Sequence, residues 1–321
     1  RAIVLTGSMA REEATFVATD SGRQVLGAAE FLLVFERGAR LPSSIDLERG
    51  HSEIESALQQ NGLRCKVDLH AVDTTYLRQL TPRIFACELS RCGEVVWGDP
   101  EILALIPPFS ASDIPLEDGW RLLCNRIVEL LEVSVQLTDA PAFLPPDVYY
   151  RTAKLYLDMG TSFLLFEGAY QPTYRLRADR LKALAESGSG IDGCPLPLGM
   201  FSDLVGYSTT LKIEGIPTDE QPPAGIQYWA QAIRYARLLW RWELETMTGG
   251  AGDLSDQELY ARWLRRQPVA GKIRGWAVVL RACGWHRSWR HWPRWMRLGW
   301  GGSPRGLVYG AASRLLFQLP A

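Results

Sequence analysis

The chain changes its hydrophobic period at Pro107-Pro108, and that change limits the folds open to it. Before it, apolar runs of strand length recur at Ile3-Val4-Leu5, at Glu30-Phe31-Leu32-Leu33-Val34-Phe35, from Leu63 to Ala71 and from Gly93 to Trp97. Ser52 to Gln60 reads as a helix between the second and third runs, stopped by Asn61-Gly62. Asp99-Pro100 opens a short helix, because aspartate caps well and proline fits the first turn. So few strands with helices between them predict a small mixed sheet covered by helices on one side. Beyond Pro108 the strand signals stop. Leu116 to Leu137 carries a helical stripe through Trp120, Leu123, Ile127, Leu130 and Leu131, and Val148 to Glu167 carries another through Leu155, Met159, Phe163 and Phe166. Thr173 to Glu186 and Ile226 to Met247 are further helices, whereas Ser187 to Pro223 is rich in turn residues and reads as a connection. The expectation is an α+β protein with a sheet domain over 1–110 and an all-α helical bundle domain over 111–321.

The chemistry-bearing residues lie at the ends and middles of the first runs. The first apolar run ends in Thr6-Gly7-Ser8, Glu30 stands at the entry of the second, and Asp68 sits between Val67 and Leu69 in the third. A strand running into Gly-Ser, with acids on neighbouring strands, suits a site that holds a nucleoside triphosphate by its phosphates and by magnesium. Gly7-Ser8, the following Met9-Ala10-Arg11-Glu12-Glu13, Glu30 and Asp68 together resemble the polymerase-beta-like nucleotidyltransferase superfamily, in particular its small bacterial members with a helical second domain. The second strand of that family carries two acids separated by one residue. Here it reads Ala28-Ala29-Glu30, so alanine replaces the first acid.

The resemblance implies a nucleotidyltransferase fold and a magnesium-dependent transfer of a nucleoside monophosphate, AMP being the expected group, to a hydroxyl on a small molecule or protein. Gly7 and Ser8 would hold phosphates, Glu30 and Asp68 would bind Mg2+ and act catalytically, and Asp68 would also take the acceptor proton. Lys154, one turn after Arg151, would meet the phosphates from a bundle helix, although Asp158 four residues on gives it an ordinary ion-pair explanation. Asp20, Glu12 and Glu13 are substitutes for the missing acid. The run from Gln171 to Arg177 is similar to a feature of the bundle in aminoglycoside-modifying nucleotidyltransferases. Arg177 would then face the cleft, and a solvated face over Arg175 to Arg180 is the competing reading. Ala28 leaves a catalytically degenerate nucleotide-binding or scaffold protein as the alternative function.

Charge is segregated along the chain. From Ala261 to Ala321 there are twelve basic residues and no Asp or Glu, so a formal net charge of -1 divides into +12 there and -13 elsewhere. Seven of the twelve tryptophans lie in the same segment, which suits an anionic membrane or a nucleic acid over residues 262–305, or plain packing of the last helices. Arg281-Ala282-Cys283-Gly284-Trp285-His286 resembles the arginine, spacer, histidine signature of HEPN ribonucleases. Six scattered cysteines without metal-ligand spacing, and no apolar run of about 18 residues or more, lead to the expectation of a cytoplasmic protein.

Overall fold

The computed structural model describes residues 1–19, 22–135, 137, 144–187, 193–215, 225–250, 253–283, 299 and 301–319. Asp20, His286, His291, Arg287, Arg290, Arg294, Arg297 and the tryptophans at 285, 289, 292, 295 and 300 lie outside them. The protein is α+β, and its described part contains a five-stranded sheet. It divides into two compact units that do not follow chain order. The first comprises Arg1–Gly119, Phe163–Ser189 and Leu198–Gln221, and the second Trp120–Ser162, Gly190–Pro197 and Pro222–Ala321.

In the first unit, β1 (Ala2–Thr6) runs into the single turn α1 (Gly7–Ala10), and β2 (Thr15–Thr19) returns as a hairpin with β3 (Gly22–Phe35). Next come α2 (Ser44–Gln60), β4 (Leu63–Asp73), α3 (Thr74–Arg78), α4 (Ile84–Cys92) and β5 (Glu94–Gly98). β3 organises the sheet. It pairs antiparallel with β2 along its first half and with β1 along its second, while β4 runs parallel to it. Because β4 occupies one edge of β3 throughout, β1 and β2 lie end to end on the other, and β5 closes the far side of β1.

Side chains alternate across β3, so its two faces build two cores. Leu32 and Val34 join Ala2, Val4, Leu77, Leu89, Ile102 and Ile106 on one face, whereas Ala29 and Phe31 pack with Val25, Cys65 and Leu58 on the other. Helices therefore cover both faces, α3 and α4 one and α2 the other, which corrects the one-sided expectation. The edge strand β4 is closed by α2, since Glu55 accepts from the Val67 amide at 2.8 Å and His51 Nε2 accepts from the Leu69 amide at 2.9 Å. Two side chains one helical turn apart thus meet two amides of alternate strand residues.

Several elements differ from the sequence reading. α2 starts eight residues before Ser52, because Ser43 and Asp46 form a reciprocal capping box. The turn after Asp99-Pro100 is a short 3-10 segment, Ile102–Leu105. The segment read as a connection contains α8 (Leu198–Glu214), which has a buried stripe at Phe201, Val205, Ser208, Thr209, Leu211 and Lys212. Packing overrides weak local preference there: Gly199, Gly206 and a Ser-Thr-Thr run hide a helix whose Ser208 and Thr209 hydroxyls bond back to the Leu204 and Val205 carbonyls. α8 packs beside α7 (Tyr174–Glu186) in this unit.

The second unit is helical in its described residues. It takes most of α5 (Leu116–Ser134) and α6 (Pro146–Phe166), then α9 (Gly225–Thr248), α10 (Asp256–Arg266), α11 (Val269–Cys283) and α12 (Pro304–Leu316). Its core is aromatic. Trp120 lies 4.2 Å from Trp263 between ring centroids and 6.0 Å from Tyr309, and Trp240 stacks on Tyr260 at 5.8 Å. Trp263 is thereby a packing residue, one of the roles open to the tail tryptophans.

Candidate functional site

The acids of the sheet are brought together by strand register. Glu30 on β3 pairs with Thr6 of β1 on one side and with Asp68 of β4 on the other, so Thr6, Glu30 and Asp68 form a row across three strands. Glu30 shares its face with Leu32 and Val34, which places the two acids just past the end of the apolar cluster on that face. β1 ends beside them. Gly7 has φ +68, and a Cβ there would fall 2.9 Å from the Glu30 Cδ and Oε1 atoms, so the carboxyl stands against the Gly7 α-carbon. Only glycine permits both that conformation and that approach. The Thr6 hydroxyl donates to the Glu30 carbonyl at 3.3 Å, and the half-buried Ser8 follows in the first turn of α1.

The electrostatics at Glu30 follow from this placement. Burial pushes its carboxyl above the ordinary value of 4.5, the Arg11 guanidinium opposes that, and the neighbouring Asp68 adds to it. Two carboxylates side by side repel one another, and a divalent cation between them removes the repulsion. Glu30 and Asp68 are two oxygen donors of the type magnesium takes, and Mg2+ commonly uses one or two carboxylates and draws its remaining ligands from water and substrate phosphate. The residues present fit one such ion. No group of three or more metal-ligating side chains occurs among the described residues.

Position 28 gains a meaning from the register as well. Ala28 pairs with Lys66, two residues before the Glu30–Asp68 pair, so an ammonium-bearing side chain stands beside the place where the resembling enzymes carry an acid. Lys66, Asp68 and His70 alternate with the buried Cys65, Val67 and Leu69, and His70 also favours the charged form of Glu30. Lys66 and His70 were missed by the sequence reading, although period-two alternation along β4 would have put them on the Asp68 face.

A second charged cluster in this unit accounts for several of the remaining candidates. Glu13, only 1% exposed, accepts from Arg11 at 3.2 Å and from the Arg175 amide at 3.0 Å, so it is committed and does not serve as a substitute acid. Glu12 is exposed, with φ 57. Arg177 is 2% exposed rather than part of a solvated face. It ion-pairs with Glu88 and donates to the Tyr170 hydroxyl at 2.9 Å and to the Gln171 carbonyl at 2.6 Å. Arg11 reaches the other Glu88 oxygen at 2.5 Å. Two arginines and two glutamates thus balance in charge along a chain Glu13–Arg11–Glu88–Arg177, and the Arg177 guanidinium is held charged by Glu88 despite its burial.

Lys154 lies on α6 in the second unit. Burial and the nearby Arg126 lower its pKa from 10.5 to about 8, against the pull of Glu129 and Asp158. Asp158 bonds to Arg126 rather than to Lys154, so the helical ion pair expected from their spacing is not the contact made. The Lys154 ammonium instead lies 5.7 Å from the Tyr150 ring centroid, and Arg151 bonds to Glu129 at 2.7 Å.

No family model matches the chain, and no curated protein or solved structure matches it significantly.

Proposed function

We propose that the protein is a nucleotidyltransferase-fold enzyme acting through the Gly7–Glu30–Asp68 corner of its sheet. The observation that carries this reading is the row Thr6, Glu30, Asp68 with the Glu30 carboxyl against Gly7, since a strand end, a glycine turn and two register-matched acids converge there. Gly7 and Ser8 would receive the triphosphate, Glu30 and Asp68 would hold one Mg2+, and a helical bundle domain would accompany the catalytic one. Bound magnesium would supply charge stabilisation to the attacking and leaving oxygens. The acceptor hydroxyl oxygen attacks the α-phosphorus, its proton passes to an Asp68 carboxylate oxygen, and pyrophosphate leaves. Arg11 is close enough to oppose the rise that burial imposes on the Glu30 carboxyl.

A second reading, a nucleotide-binding protein that no longer transfers, is favoured by the Ala28–Lys66 pair. A lysine there offers phosphate a charge without a metal, but it gives a second ion no ligand.

The two readings separate in one assay. Triphosphate labelled at the α-phosphorus is incubated with Mg2+, an extract as source of acceptor, and the natural chain or its Glu30→Gln, Asp68→Asn and Ala28→Asp variants. The enzyme reading expects transfer that falls by about a hundredfold in the first two variants, in line with losing a catalytic or metal-holding carboxylate. No transfer by the natural chain, with nucleotide still bound, supports the second reading.

A further inference from the structure

We propose that α11 docks the protein onto an anionic lipid surface. Among the described residues, the helix is attached to its unit along one stripe. Lys272, Gly275, Trp276, Val279 and Leu280, spaced i, i+3, i+4, i+7, i+8, are the half-buried positions. The attachment is close: a Cβ on Gly275 would meet Pro304 at 3.1 Å, and the Trp276 indole donates to the Gly302 carbonyl at 3.0 Å.

The opposite side is Ala270, Ile273, Arg274, Ala277, Val278 and Arg281, at i, i+3, i+4, i+7, i+8, i+11, and all six are exposed. A solvent-facing stripe of a surface helix is ordinarily polar. This one places Ile273 and Val278 in water at 66% and 62% exposure, with Val269 at its margin at 68%. Its only charges are two arginines, and neither makes an ion pair among the described residues. The complementary partner is therefore negative and able to take up aliphatic side chains at the same depth.

An anionic bilayer has both properties: aliphatic side chains enter the acyl boundary while arginines stay at the headgroups. Nucleic acid matches the charge but not the apolar part, because bases stack on aromatic rings and this stripe bears none. The basic, acid-free segment from Ala261 onward extends the same potential beyond the helix. No described helix is long and apolar enough to cross a membrane, so α11 would lie in the surface plane.

Co-sedimentation of the full chain with phosphatidylcholine vesicles, with and without about 30% phosphatidylglycerol to give a negative surface, tests the proposal. Binding is expected only to the anionic vesicles and is expected to weaken as salt is raised. Arg274→Gln and Arg281→Gln should each weaken it about fivefold. An Ile273→Ser, Val278→Ser double variant should weaken it about tenfold or more, with thermal unfolding unchanged because both positions are exposed. Absence of binding at low salt overturns the proposal. So does vesicle binding untouched by the Ile273, Val278 variant, tighter binding to a single-stranded RNA probe than to the vesicles, or a self-association in solution that the double variant abolishes.

Discussion

The two units differ in how they hold their most enclosed glutamates. In the first, the enclosed charges Arg11, Glu13, Glu88 and Arg177 are matched to one another, and the Lys212 ammonium donates at 3.0 Å to both the Glu13 carbonyl and the Thr15 hydroxyl. Among the described residues, every buried side-chain nitrogen or oxygen without a hydrogen-bond partner lies in the second unit: Trp120 Nε1, Ser162 Oγ, Trp240 Nε1, both Glu243 oxygens and Ser313 Oγ. Glu13 and Glu243 are equally enclosed, at 1% and 0% exposure, yet Glu13 is ion-paired with Arg11, whereas Glu243 has no ion pair among the described residues and only the neighbouring Ser162 hydroxyl to favour its charged form. A buried carboxyl without a cation beside it escapes the cost of its charge by keeping its proton, and burial raises Glu243 to about 8 against the pull of Ser162. Glu30 lies between these extremes. It is half-buried, pushed up by burial and by Asp68, and near a guanidinium already bonded to Glu13 and Glu88. Under the proposed function, the acid pair beside this charge network is where a cation would bind.

Removing the shared acceptor of the first network has the largest expected effect. Glu88→Ala leaves the Arg11 and Arg177 guanidiniums and the Tyr170 hydroxyl short of a partner at once. Loss of about 3–5 kcal/mol is expected in urea unfolding, as for a broken buried pair. Loss under about 1 kcal/mol, the scale of exposed pairs, would mean the network is open to water in solution.

Glu243 gives the next largest effect, and its sign is set by the raised pKa. The folded chain keeps the proton up to about 8, while the unfolded carboxyl releases it near 4.5. The associated stability is therefore fully present below pH 4.5, declines as pH rises towards 8, and is gone above it. A fall on the order of 4 kcal/mol between pH 5 and pH 9 is expected for the natural chain. In Glu243→Gln that fall should shrink to what other groups contribute. Identical pH profiles for the two chains would remove the distinction between the units.

Legibility in the sequence followed locality. β1, β4 and β5 are readable to within two residues because alternation or an apolar run marks each, and Gly7, Glu30 and Asp68 stand at the ends and middle of such runs. β2 and the first half of β3 went unread, since Thr15–Thr19 is a short run between charged and turn residues, Gly22 to Gln24 carries no apolar side chain, and the two segments are held by pairing with each other. The buried charge network has no local signal at all. Its contacts join residues 77 and 89 positions apart, and arginines that look solvated in sequence are enclosed only once α7 packs. The side-by-side placement of Glu30 and Asp68 likewise needs the β3–β4 register, which depends on a shift between Gln24 and Ala28 that composition does not announce.

Calorimetric titration of a nonhydrolysable nucleoside triphosphate, with and without Mg2+, tests the open acid pair most directly because it needs no acceptor. The natural chain is expected to bind the nucleotide at least about tenfold more tightly with magnesium than without it, and Glu30→Gln and Asp68→Asn are expected to lose that difference. Binding of equal strength with and without magnesium in all three chains, or no binding by the natural one, would contradict the account.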